Sequence, residues 1–152
     1  MKKISLLFVA FVGLFMLSSN QGLAQNADDI LGVWLNADKD AHIEIYQEDG
    51  KFFGKIVWML NPNDPETGQP KTDNLNPDES LQSRPRMGLL LLKDFVFDDD
   101  EWEDGTIYDP KSGKTYSCYM EFEDLKDLNK LKIRGYIGVS LIGKTTYWTR
   151  VQ

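Results

Sequence analysis

The sequence predicts an all-β protein, an antiparallel up-and-down barrel of about eight strands. Two observations carry that reading. Short runs alternate apolar and polar residues with the period of two that a half-buried strand requires, and Gly, Pro and Asp turns break them at regular spacing. These runs are bounded by Gly32-Val33-Trp34 at the start and Tyr147-Trp148-Thr149-Arg150 at the end. A glycine that lets backbones approach, an indole that plugs one end and a guanidinium stacked across it would seal a small barrel. Gly32, Trp34 and Arg150 are therefore assigned to barrel closure.

The elements follow in order. Ala41 to Glu48 sets His42, Glu44 and Glu48 against Ile43 and Ile45. Glu48-Asp49-Gly50 turns the chain, and Lys51 to Leu60 returns with Phe52, Gly54, Ile56, Trp58 and Leu60 on one face. Asn61 to Arg86 then breaks the rhythm. This Pro-rich insert holds five of the six prolines (Pro62, Pro65, Pro70, Pro77, Pro85) and no aromatic residue. A structureless stretch of this length inside a compact domain is usually a functional loop or a disordered one. Within it Asn76-Pro77-Asp78-Glu79 reads as an N-cap, a proline at the first helical position and acids in the first turn. Pro85 disfavours helix at Arg84. A short helix from Pro77 to Gln82, lying over one barrel end, is expected.

Met87 to Leu92 is a continuous apolar run, and Phe95 and Phe97 alternate with Asp94 and Asp98 in a bent continuation. Gly105-Thr106-Ile107-Tyr108 leads into the turn Asp109-Pro110-Lys111-Ser112-Gly113, where proline pre-sets one torsion and glycine suits the left-handed position. Lys114 to Glu123 places Tyr116, Cys118, Met120 and Phe122 on one face. Lys130 to Tyr136 alternates Leu131 and Ile133 with basic residues, and Lys144 to Val151 is the last strand. Tyr136 to Gly143, apolar and glycine-bearing, joins the last two strands; it is a contact patch or portal if exposed, and the bottom plug, the preferred reading, if folded under the barrel.

Residues 1–24 stand apart from the fold. Met1-Lys2-Lys3 is a positive n-region, Leu6 to Leu17 a short apolar core, and Gly22-Leu23-Ala24 puts small residues where a signal peptidase reads. The apolar stretch is too short for a spanning helix, and Gln25, not cysteine, follows the cut. The expectation is a signal peptide over 1–24 and a single β-barrel domain over 25–152, periplasmic or secreted, with no membrane span. Loss of two lysines and no acid takes the formal charge of −7 to −9. That surface argues against nucleic acid or anionic lipid as partners and suits solubility.

Chemistry-bearing residues are sparse. His42, the single histidine, lies on a polar face with Glu44, where a surface role is expected; a catalytic triad or multi-histidine zinc site would rest on it alone. Cys118, the single cysteine, shares a face with Tyr116, Met120 and Phe122 and is expected to be buried and inert. No Cys-x-x-Cys, phosphate loop or dinucleotide fingerprint occurs. Asp98 to Asp104 is dense in carboxylates, but its spacing does not match the EF-hand loop and a solvated hairpin tip needs no ion. No metal, cofactor or catalytic residue is assigned. Arg84 and Arg86 stand out in an acidic chain. They either hold a ligand carboxylate or phosphate at a barrel mouth, or pair with Asp73, Asp78 or Glu79 and pin the insert down.

Several stretches together resemble a known family. They are Gly32-Val33-Trp34, Gly54-Lys55-Ile56-Val57, Asn76-Pro77-Asp78 with Leu81, Ser83-Arg84-Pro85 and Gly88-Leu89, then Gly105 to Pro110 with Gly113-Lys114 and Tyr116, Arg134 to Gly138, and Trp148-Thr149-Arg150. The chain resembles the bacterial secreted family known as domain of unknown function 2147, whose fold is similar to the calycin, or lipocalin-like, barrels. The resemblance implies fold and export and no activity. The Gly-x-Trp of lipocalins falls on Gly32 to Trp34 and their closing arginine on Arg150. The long insert after the third strand departs from typical lipocalins.

The functional expectation, by fold analogy, is a non-enzymatic module of the bacterial envelope that binds a small amphiphilic or apolar ligand. Two alternatives stand beside it: a structural or protein-interaction module with a self-filled barrel, docking on another envelope protein, and a carboxylate-dependent hydrolase. An eight-stranded barrel holds its own side chains or one small ligand. With Phe52, Trp58, Tyr116 and Phe122 assigned inward, the barrel is expected to be largely self-filled, leaving a shallow pocket beneath the insert. Arg84 and Arg86 would be its polar handles and Trp58, Tyr108, Tyr116 and Tyr136 its walls. A monomer is expected.

Overall fold

The computed structural model describes residues 24–152, so the leader expected over 1–24 lies outside the described residues except for Ala24. A single 3₁₀ turn, Ala27–Ile30, precedes eight strands: β1 Gly32–Leu35, β2 Ala41–Glu48, β3 Lys51–Met59, β4 Leu90–Asp98, β5 Glu101–Asp109, β6 Lys114–Glu121, β7 Lys130–Tyr136 and β8 Gly143–Arg150. Each pairs antiparallel with the next, and β1 closes on β8 through Trp34↔Arg150 and Leu35↔Thr149. Closure removes the free strand edges that an open sheet would expose.

Alternation along the strands fills one half of the barrel. Trp34, Phe52, Phe95, Trp102 and Phe122 are all buried. Trp102 meets Phe122 and Phe52 edge-on at 5.6 and 6.3 Å, and Trp34 lies 6.0 Å from Phe122. These tilted and edge-on arrangements oppose ring edges to ring faces, as aromatic quadrupoles favour. The 3₁₀ turn caps this end: Trp34 Nε1 donates to Ile30 O at 2.8 Å and Trp102 Nε1 to Ala27 O at 3.1 Å. Gly105 and Gly54 make room within the walls. A side chain on Gly105 would collide with the Phe95 ring, and one on Gly54 would sit 2.7 Å from Leu92.

Two local expectations need correction. Between His42 and Ile43 the β2–β3 register shifts, so that His42 opposes Trp58 while Ile43 opposes Ile56. This bulge re-phases the end of β3, and Trp58 turns outward with Leu60 instead of following Ile56 inward. The short helix expected from Pro77 to Gln82 is a 3₁₀ turn, Glu79–Leu81, capped by Asp78, whose carboxylate accepts from Ser80 N at 3.0 Å. Asn76 is not the cap. Its amide instead bridges Asp73 and Tyr108, at 2.8 and 3.2 Å.

The strand directions sort the loops by end. The turns after β2 and β4 and the segment 122–129 lie at the aromatic end with Ala27–Ile30. The connections β1–β2, β3–β4, β5–β6 and β7–β8 all lie at the other end.

Candidate functional site

The end carrying those four connections opens into a cavity of about 750 Å³. Its walls come from inward positions of the strands: Ala41 on β2, Ile56 and Met59 on β3, Leu91 on β4, Ile107 and Tyr108 on β5, Tyr116 on β6, Ile133 and Gly135 on β7, Thr146 and Trp148 on β8. None of the aromatic cluster at the closed end reaches it. The barrel is thus half filled rather than self-filled, and the pocket is a deep one. Its volume falls within the range of roughly 300–1,000 Å³ typical of small-molecule sites.

The rim is polar and of mixed charge. Asn36, Ala37, Asp38, Asp40, Arg86, Asp109 to Lys111 and Lys144 contribute to it. Lys111 Nζ sits 2.7 Å from Asp38 and 2.8 Å from Asp40. Burial opposes the lysine charge, but the two carboxylates outweigh it and hold the amine above its ordinary value. Neither Arg86 nor Lys144 has a carboxylate within ion-pair distance among the described residues. Arg86 is held in place by donating from Nε to Thr72 O at 2.8 Å and from Nη2 to Asn74 Oδ1 at 3.1 Å.

The two arginines therefore divide. Arg84 does not line the cavity. Its Nε and Nη2 both donate to Asp73 Oδ2, at 3.0 and 2.7 Å. Asp73 also accepts from Tyr108 Oη at 2.5 Å. Burial alone would raise the Asp73 carboxyl, but hydrogen bonds from Tyr108, Asn76 and Arg84 outweigh it and hold the group below the usual range. Tyr108, a cavity wall, is pushed up by burial and by the same carboxylate. This knot ties the β3–β4 connection to β5. Gly113 adds a second seam, since its φ of +69° and the close approach of Leu75 O leave no space for a side chain.

Of the expected walls, Tyr108, Tyr116 and Tyr136 line the cavity and Trp58 does not; its ring packs against His42 on the outer surface, with centroids 4.4 Å apart. The β7–β8 connection is also placed differently from the preferred reading. It is no bottom plug: Ile137, Val139, Leu141 and Ile142 stand exposed at the open end, Leu141 at 88%, and Ile137 and Ile142 border the cavity. Arg134 holds this lip by donating to Ser140 O at 2.7 Å and Leu141 O at 3.3 Å.

The closure residues sit at the opposite end. The Arg150 guanidinium lies 4.2 Å from the Trp34 ring centroid and donates to the carbonyls of Asp29, Leu31 and Leu128. Gly32, at φ +124°, would place a Cβ 3.1 Å from Arg150 Nη1, so both its backbone and its neighbour call for glycine. Cys118 is fully buried, and burial pushes its thiol up to about 12.

Sequence reading missed most of the cavity lining, including Asn36, Asp38, Asp40, Lys111, Thr146 and the inward face of Trp148. The period-two alternation of β7 and β8 places Ile133, Thr146 and Trp148 inward, but alternation carries no sign of which inward positions border empty space.

The chain belongs to the family of uncharacterized proteins conserved in bacteria, DUF2147, whose model matches residues 32–150. Among solved structures it is similar to protein HP1028 from Helicobacter pylori, described as belonging to the lipocalin family. The TM-score is 0.68 with 22% identity, over 81% of this chain and 83% of the other. That likeness concerns the fold. Comparison with the curated proteins finds no match.

Proposed function

We propose that the protein is an exported, non-enzymatic binding module that holds one small amphiphilic molecule. The carrying observation is the 750 Å³ cavity, apolar in its strand-borne walls and open at a single ringed end. The apolar part of the ligand lies between Ile56, Leu91, Ile107, Ile133 and Trp148, and its polar head meets Arg86 and Lys144 at the rim. An anionic head suits these two, because a guanidinium or ammonium without a carboxylate partner gains most from one. The fold likeness supports the reading by analogy. Export is supported by the residues of the leader, and no helix among the described residues is long and apolar enough to cross a membrane.

Native mass spectrometry of protein purified from its own envelope, together with titration by fatty acids, tests this reading. A retained small molecule is expected, as is saturable binding that Arg86→Ala weakens about tenfold, the loss of one charged hydrogen-bonding contact. An empty protein indifferent to every amphiphile would remove the proposal. The exposed apolar lip Ile137–Ile142 favours a second reading, docking on another envelope protein, and an empty, unresponsive cavity would leave that reading in place.

A further inference from the structure

Gln25 is an anomaly among the described residues. It is only 8% exposed, yet its side-chain Nε2 and Oε1 both lack a hydrogen-bond partner. Buried polar atoms in native folds are almost always paired, so an orphaned primary amide asks for an explanation. The backbone that follows it is anchored. Asn26 N donates to Asp29 Oδ2 at 2.8 Å, and Ala27 O receives the Trp102 indole, which fixes the backbone just after Gln25 against the closed end of the barrel. Ala24, immediately before, is exposed. Ala24 is also the last residue of the leader read from the sequence.

We propose that Gln25 becomes the amino-terminal residue and closes to a pyroglutamyl lactam, a neutral modified end that this site is built to bury. The inference rests on the export reading and extends it. Once the Ala24–Gln25 bond is cut, the new α-amine reaches the Cδ carbonyl of its own side chain. The N–Cδ bond forms, the Cδ–Nε2 bond breaks, and ammonia leaves with the proton released by the amine. No oxidant or co-reactant enters the balance. The ring removes the two N–H donors of the orphaned amide and the ammonium charge in one step, leaving a single N–H and a single ring carbonyl. An open terminus would keep both the unpaired amide and a cation beginning at a residue with little access to water, which is the costlier arrangement.

The test is intact-mass and fragmentation analysis of freshly purified protein from its own envelope, wild type beside Gln25→Asn, with Edman degradation on both. The wild type is expected to begin at residue 25, to be lighter than the open chain by one ammonia at its first residue, and to resist Edman degradation. Gln25→Asn, whose α-amine could close only to a strained four-membered ring, is expected to keep a free α-amine and to read Asn at the first cycle. A wild-type chain that begins at Gln25 with a free amine overturns the lactam and leaves export standing. A blocked amino terminus that persists in Gln25→Asn places the modification elsewhere and overturns it equally. A chain that begins at another residue overturns the lactam and the assigned cleavage site together.

Discussion

Asp73 has no exposed side-chain surface, and its charge is held by Arg84, Asn76 and Tyr108. Removing one partner of a buried ion pair strands the other, at a typical cost of 3–5 kcal/mol. Arg84 keeps 35% of its side chain in water, which screens the pair. Arg84→Ala should therefore cost less, about 1–3 kcal/mol by denaturant midpoint, while leaving ligand affinity nearly unchanged. The pH dependence follows from the lowered carboxyl. A folded value below the unfolded one gives stability that is complete above the unfolded value near 3.8 and is lost as pH falls through the folded one. Chemical denaturation between pH 7 and pH 3 should show the onset of this loss, and Asp73→Asn should reduce it, leaving the share of Asp40, whose carboxyl is also held low. Cys118 behaves as a second isolated residue. With its thiol pushed up to about 12 by burial, it stays protonated and shielded at neutral pH. A maleimide should label it only after unfolding, and rapid labelling of the native protein would contradict its placement.

At the scale of elements, the strands were legible because period-two alternation and turn residues are local signals. The β5–β6 turn at Asp109–Gly113, the alternation of β7 and the Gly-x-Trp closure all stand where the residues put them. Trp58 was misplaced because a bulge is not local: the pairing of His42 with Trp58 depends on where two strands slip, and one residue of slip exchanges the faces. Trp102 was overlooked for a related reason. It sits in the acidic run Asp98 to Asp104, whose composition reads as solvent-facing, yet its side chain is fully buried and anchors the 3₁₀ turn. The glycines in the walls are equally silent in sequence, since what they accommodate lies on a neighbouring strand. Gly105 faces the Phe95 ring so closely that any Cβ must displace it. Gly105→Ala should therefore destabilise by about 1–3 kcal/mol, as overpacking does. A denaturation midpoint unchanged from wild type would show that Phe95 can move aside without loss.

At the scale of the whole molecule, the barrel divides into a packed half and an open half, and its tryptophans report on them separately. Trp34 and Trp102 are locked in the closed end, Trp58 is stacked on His42 outside, and Trp148 alone among the four lines the cavity. An emission change on adding an amphiphile should therefore come from Trp148. Trp148→Phe should abolish the change while calorimetry still detects binding; a signal that survives in this variant would place the ligand on the outer surface or the lip. Filling the cavity makes the complementary test. Thr146, half buried on β8, faces the same space, so Thr146→Phe adds a ring where there is room for one. Apolar area newly buried there stabilises at about 25 cal/mol per Å², without the strain of forcing a ring into packed surroundings. The melting temperature of Thr146→Phe should equal or exceed that of the wild type. Its ligand-induced rise, which in the wild type follows RT ln(1 + [L]/Kd), should vanish. A variant that melts lower yet still gains stability from the same amphiphile would show that the molecule binds somewhere other than this cavity.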